Sequence, residues 1–152
     1  MKIVILGVGG MGAISLSKTI ASMAISKGLS VKSSEIHGMA KKGGLVEIQM
    51  KVGEGLNGVV LQGEADFVIV LDERYREYGF AFLKKEGRLL MAEANVREQI
   101  AKEFGDVKFV SSYILGLFVK LGDVFIKDDA LEVLRNFKDA DKNLMAFGRG
   151  LK

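Results

Sequence analysis

Apolar and polar positions follow two different periods along this chain, and the switches between them mark its elements. Ile3 to Leu6 is apolar throughout and ends in glycines, the pattern of a central parallel strand buried on both faces. From Gly12 the spacing turns helical. Ala13, Leu16, Ile20, Met23 and Ala24 share one face, Ser15, Lys18 and Ser22 lie elsewhere, and Gly28 supplies the stop. Val31 to Glu35 reads as a second strand. Ile36 to Gly44 has no sustained period and carries Gly38, Gly43 and Gly44, so it reads as a loop. Val46, Ile48, Met50 and Val52 then alternate with Glu47, Gln49 and Lys51. That alternation predicts an antiparallel or edge strand with one buried and one polar face.

Beyond the turn at Gly53, Gly55 and Gly58, Phe67 to Leu71 is another buried strand. Glu73 to Lys85 has helical spacing with Tyr75, Tyr78, Phe82 and Leu83 inward, ended by Gly87. Arg88 to Ala92 is a strand. Asn95 with Glu98 makes a capping-box pattern that opens a helix running to Gly105. Val107 to Val110 reads as the last strand. Helices follow at Tyr113 to Leu121, at Ala130 to Phe137 behind an Asp129–Glu132 box, and at Asn143 to Phe147. The alternation of strands and helices predicts an α/β fold. It is a single three-layer α/β/α domain over residues 1–152, with a mostly parallel but mixed sheet and a Rossmann-like start.

Composition changes this picture mainly by exclusion. At 152 residues the chain is one domain in size. A net charge of +3 supplies no concentrated basic face, so nucleic acid is not an expected partner. Cysteine is absent, which excludes a disulfide, a Cys-ligated iron–sulfur cluster and a thiolate nucleophile from this sequence. With one histidine, no metal site is expected. Apolar runs such as Phe67 to Leu71 fall far short of the ~20 residues of a membrane span. Met1 leads straight into the first strand with no signal peptide ahead of it, so a cytoplasmic location is expected. Proline is also absent, for which we have no physical account.

Candidate chemistry concentrates in two glycine-rich segments. Gly7-Val8-Gly9-Gly10-Met11-Gly12 matches G-x-G-x-x-G between a strand and a helix. Two readings stay open: the glycines let the helix pack tightly on the sheet, or they let an anionic group approach the helix N-terminus. Glu35 ends the second strand near where a dinucleotide-binding fold keeps a ribose-binding acid. That fold should continue into a helix, whereas here a glycine-rich loop and an alternating strand follow.

That loop carries a resemblance. Ser34-Glu35-Ile36-His37-Gly38-Met39-Ala40-Lys41-Lys42-Gly43-Gly44 resembles the signature of the 2-oxoacid:acceptor oxidoreductase gamma domain, Ser-Glu-(Val/Ile)-His-Gly-Met-Ala-Gln-Arg-Gly-Gly. In that family it follows an N-terminal Gly-x-Gly-Gly-Gln-Gly, as it does here in order and spacing. Pyruvate, ketoisovalerate and indolepyruvate ferredoxin oxidoreductases have subunits of this kind. Ala65-Asp66, and Asn143 with Ala146-Phe147, are weaker echoes. The departures are Met11 for glutamine, Lys41 and Lys42 for Gln and Arg, and no asparagine before Leu115-Gly116. The chain is also short for an indolepyruvate-type subunit.

The resemblance implies a non-redox small subunit, gamma or indolepyruvate-type beta, of a complex that decarboxylates a 2-oxoacid oxidatively to an acyl-CoA. Thiamine diphosphate and iron–sulfur clusters would sit on partner subunits, ferredoxin would be reached through them, and coenzyme A would belong to the complex. Gly7, Gly9, Gly10, Met11 and Gly12 are then the candidate cofactor-binding residues. Glu35, His37, Gly38, Met39, Lys42, Gly43 and Gly44 form the candidate partner or active-site loop. No catalytic residue is expected in this chain; His37 is the one candidate, and its ring reads more simply as a brace for the loop backbone. Taken alone, the subunit is expected to be inactive and to dimerise or aggregate through an exposed apolar patch. The other readings are a stand-alone dinucleotide-binding oxidoreductase and a small-ligand scaffold of the same fold.

Overall fold

The computed structural model describes residues 1–37, 44–53 and 57–152, with His37 described in its backbone only. Five strands, β1 (Lys2–Val8), β2 (Val31–His37), β3 (Leu45–Val52), β4 (Ala65–Val70) and β5 (Leu83–Met91), form one sheet in the order β2-β3-β1-β4-β5. β1 pairs in parallel with β4, and β4 with β5; β3 runs antiparallel to both β1 and β2. The predicted mixed α/β sheet is therefore present, with β3 alone reversed.

Helices α1 (Ala13–Ser26), α3 (Ala94–Phe104), α4 (Val110–Leu121), α5 (Lys127–Leu134) and α6 (Ala140–Leu151) build one large core with Ile3, Ile5, Ile48, Met50, Phe67 and Ile69 of the sheet. The opposite face presents Val4, Leu6, Val68 and Val70 to a thinner layer. That layer holds the five-residue α2 (Arg76–Phe80), Phe82, and a strap through Val60. α4 and α6 approach closely at Gly116 and Gly150. A Cβ on Gly116 would meet the Phe147 carbonyl, and one on Gly150 would meet the Tyr113 carbonyl.

The first half of the chain follows its hydrophobic pattern closely. All five predicted inward residues of α1 are buried, and Gly28 takes a positive φ of 78° just past the helix end. Several expectations need correction. The helix predicted over 73–85 is a 3₁₀ turn, Glu73–Tyr75, followed by α2, and Leu83 to Lys85 belong to β5. Gly87 lies inside that strand because a Cβ there would press on the Ala65 carbonyl at 2.7 Å. The predicted strand at 107–110 is a 3₁₀ turn, Val107–Phe109, capped by Asp106, whose carboxylate accepts from the Lys108 amide at 2.9 Å. Asn95 and Glu98 do not cap α3, which starts after Glu93 without a side-chain cap. Asp129 does stabilise the start of α5, but from the third helical position, accepting from the Ile126 amide at 2.8 Å. β3 is also not an edge strand with a wet face, because Glu47 and Gln49 are both buried.

Candidate functional site

The glycine turn is a tight piece of backbone with a different reason for each glycine. Gly7 still belongs to β1, where a Cβ would sit 3.3 Å from the Leu71 side chain, so this position serves packing between strands and helix. Met11 N–H donates to the Val8 carbonyl at 3.2 Å and closes the turn. Gly10 takes φ 88° and Gly12 takes φ 89°, a region costly for any residue with a Cβ. Gly12 is also sterically closed, since its Cβ would lie 2.7 Å from Ser111 Oγ and 3.0 Å from the Lys108 carbonyl. Gly9 differs from all of these. It needs no positive φ, and a Cβ there would meet nothing within 4 Å. Packing thus accounts for Gly7 and Gly12 and turn conformation for Gly10, while Gly9 opens onto free space. Met11, which replaces the family's glutamine, is half-buried against the main core.

Around this turn α1 offers the unpaired amides of its first turn. Two cavities adjoin it. One of about 270 Å³ is lined by Gly12, Ser15, Lys108, Ser111, Lys138 and Asn143 among others, and one of about 290 Å³ by Gly9, Gly10, Val46 and Lys108 among others. Ser111 Oγ donates to the Lys108 carbonyl at 2.7 Å, which fixes the wall opposite Gly12. Lys108 Nζ lies 3.4 Å from the Asp139 carboxylate, and both side chains are largely solvated, so the cation remains available at low cost. Asn143 is buried, accepts from Ser112 Oγ at 2.6 Å and donates to the Asp139 carbonyl at 3.0 Å. A helix N-terminus beside a solvated lysine is suited to an anionic group.

The sheet register brings the second motif to the same end of the molecule. Val8, last in β1, is opposite Leu45, first in β3, and His37, last in β2, is opposite Val46. Gly44, with φ 60°, leads directly into β3. Gly38, Met39, Lys42 and Gly43 lie outside the described residues. Glu35 is exposed on the edge strand, opposite Ile48. Because β3 separates β2 from β1, Glu35 is not on the strand next to the glycine turn, where a dinucleotide fold keeps its ribose acid. Asp72, just beyond β4, caps the 3₁₀ turn instead: its carboxylate accepts from the Arg74 amide at 3.0 Å. The Arg74 guanidinium, 2.7 Å away, holds it below the usual carboxylate range. Asp66 accepts from the Lys2 amide at 2.7 Å and pairs with Lys84.

A second polar cluster was not anticipated. On the thin face of the sheet, Tyr78 of α2 donates its hydroxyl to Glu47 Oε1 at 2.5 Å, and Gln49 Nε2 donates to Glu47 Oε2 at 2.6 Å. Gln49 Oε1 in turn accepts from the Val60 amide at 2.7 Å. Burial, followed by the hydrogen bond and charge of Glu47, pushes the Tyr78 phenol up to about 12. The only sequence signal was the pair of polar residues two apart in β3, which looked like a solvated face.

The chain's likeness to known proteins follows the same lines. A family model described as pyruvate ferredoxin/flavodoxin oxidoreductase matches residues 2–152. The indolepyruvate oxidoreductase subunit IorB of Archaeoglobus fulgidus is 42% identical over 72 residues, covering 47% of this chain and 36% of the relative. IorB of Methanothermobacter thermautotrophicus is 41% identical over 71 residues with the same coverage. The chain thus spans little more than a third of these curated relatives. Among solved structures, the pyruvate oxidoreductase subunit PORC of Thermotoga maritima superposes with a TM-score of 0.79 at 22% identity, covering 99% of this chain and 94% of that one. A 2-oxoglutarate:ferredoxin oxidoreductase chain from Magnetococcus marinus, solved with 2-oxoglutarate, coenzyme A and succinyl-CoA, gives 0.75 at 22% identity. It covers 99% of this chain but 30% of that one. At these identities the structures establish a shared fold.

Proposed function

The chain belongs to the pyruvate ferredoxin/flavodoxin oxidoreductase family, and from that premise we propose that it is the non-redox small subunit of a ferredoxin-dependent 2-oxoacid oxidoreductase complex. The complex decarboxylates a 2-oxoacid on thiamine diphosphate, passes electrons through iron–sulfur clusters to ferredoxin and transfers the acyl group to coenzyme A. The donor set of this chain does not fit a cluster, since it has no cysteine, and it has no Gly-Asp-Gly sequence for thiamine diphosphate. Those groups are assigned to partner subunits, and the isolated chain is inactive. The location is cytoplasmic; among the described residues, no helix is long and apolar enough to cross a membrane.

The observation that carries this reading is the convergence of both family motifs at one sheet end, through the Val8–Leu45 and His37–Val46 register pairs. The loop of Glu35, His37, Gly38, Met39, Lys42, Gly43 and Gly44 faces the thiamine-bearing partner and completes the wall of its site. The glycine turn, Gly7 to Gly12, admits an anionic group of the complex's coenzyme. Gly9 leaves the space, and Lys108 supplies the charge beside the α1 amides. Isolation of the protein from its native source, with identification of what comes with it, tests this. Co-purifying chains with thiamine and cluster motifs are expected; a lone chain that binds NAD would overturn it.

A further inference from the structure

Five large apolar side chains stand exposed on the thin side of the sheet: Ile36 (43%), Val59 (45%), Leu61 (62%), Tyr78 (43%) and Phe80 (63%). Two of them adjoin Glu47. Ile36 is opposite it in the β2–β3 register, and Tyr78 donates to it. The Val60 amide, between Val59 and Leu61, bonds Gln49, which bonds Glu47. Gly63 N–H donates to the Ala81 carbonyl, which ties the strap to the end of α2 beside Phe80. At ~200 Å² for a large side chain, these five expose on the order of 500 Å² of surface, near the upper range for a monomer without a use for it.

The floor of this patch holds a buried carboxylate that no cation among the described residues pairs with. Glu47 is 5% exposed, and its carboxylate accepts from two neutral donors, Tyr78 and Gln49. No Lys or Arg among the described residues forms an ion pair with it. A buried carboxylate without a cation is costly, and an apolar residue at this position in β3 would avoid the cost. A carboxylate group offers about four acceptor sites, and these two bonds use two of them.

We infer that this face docks a partner subunit that brings an arginine or lysine side chain to Glu47. The inference rests on the proposed role as a subunit. Charge selects the partner. A second copy packed across a two-fold axis would bring two Glu47 carboxylates toward one another, whereas a cation set in an apolar surface matches both the patch and its floor. Tyr78, half-exposed on this face, links the surface directly to Glu47 through its hydroxyl. Ile36 adjoins His37, which makes the patch continuous with the family signature loop.

The test uses the chain and its co-purified partner subunits, with Glu47→Gln and Phe80→Asp variants compared for assembly by sedimentation and for melting temperature in isolation. Glu47→Gln should weaken assembly at least tenfold while leaving the melting temperature of the isolated chain unchanged or higher. Phe80→Asp should abolish assembly with the fold intact. Unaltered assembly with Glu47→Gln would overturn the cation. A lower melting temperature for that variant would mean the charge is already compensated within the chain, which also overturns it. Intact assembly with both variants would remove the face as an interface and leave the subunit role standing. A free chain that is dimeric, and that Phe80→Asp makes monomeric without loss of the complex, would give the face to a second copy. Failure of the wild-type chain to assemble at all would overturn the subunit role itself, and this inference with it.

Discussion

Val8 is paired opposite Leu45, so the glycine turn that follows one and the signature segment that precedes the other leave the sheet side by side. More than thirty residues of sequence separate Val8 from Leu45, and β3 closes the gap by running against its neighbours. The reversed strand is what brings the glycine turn and the described ends of the signature segment, His37 and Gly44, to one surface.

The glycines of that surface should separate by experiment into structural and functional ones. Gly12→Ala forces a Cβ into the positive-φ region and against Ser111, so it should destabilise the chain by roughly 1–3 kcal/mol from backbone strain alone. Gly9→Ala meets nothing within 4 Å and should change stability by less than about 0.5 kcal/mol. Gly9→Val should nevertheless slow the assembled complex by filling the space the backbone leaves open. Denaturant titration of the three variants checks this; a Gly9→Ala penalty equal to that of Gly12→Ala would return the whole turn to packing.

Tyr78 should titrate late. Its phenol is pushed up to about 12, from an ordinary value of 10.0, by burial first and by Glu47 second. The folded state therefore holds the Tyr78 proton between about pH 10 and 12, where the unfolded chain has lost it. This contribution makes stability fall as pH rises through that window, and leaves it unaffected below. Phenolate absorbance should show one late tyrosine, and Glu47→Gln should bring it part of the way back. A Tyr78 that ionises at its ordinary value would mean the hydroxyl does not reach Glu47.

The α4–α6 crossing should be the least tolerant part of the core. Gly150→Ala places a methyl group against the Tyr113 carbonyl and the Gly116 backbone, and neither helix can yield locally. A loss of about 1–3 kcal/mol, or more, is expected from overpacking. Gly148→Ala, on the same helix with nothing within 4 Å, is the control and should be neutral or slightly stabilising.

The fold was legible where one element carries one clear period. The β1 run and the α1 stripe both name their buried residues correctly, because β1 is covered on both faces and α1 packs on the large core. Legibility failed where tertiary partners decide. The Val107–Phe109 turn alternates like a strand over a few residues, and only the Asp106 cap and the burial of Phe109 make it helical. Helical spacing from Glu73 overran into β5 because pairing with β4 captures Leu83 onward. Glu47 and Gln49 looked solvated because the groups that bury them, Tyr78 and Val60, come from 31 and 11 residues further along. Of the site, the glycine turn was visible as a motif, but Lys108 and Ser111 beside it were not. Lys108, in the Val107–Phe109 turn, and Ser111, in α4, reach it only through tertiary packing.

In the proposed function this chain contributes shape and contacts to a redox complex and none of its electron carriers. The most direct measurement is 2-oxoacid-dependent reduction of ferredoxin by the purified chain, by its co-purified partners, and by the two recombined. The account predicts a colourless, inactive chain, impaired partners without it, and recovery on recombination. Visible absorbance or turnover from the chain alone, or full-rate partners in its absence, would contradict it.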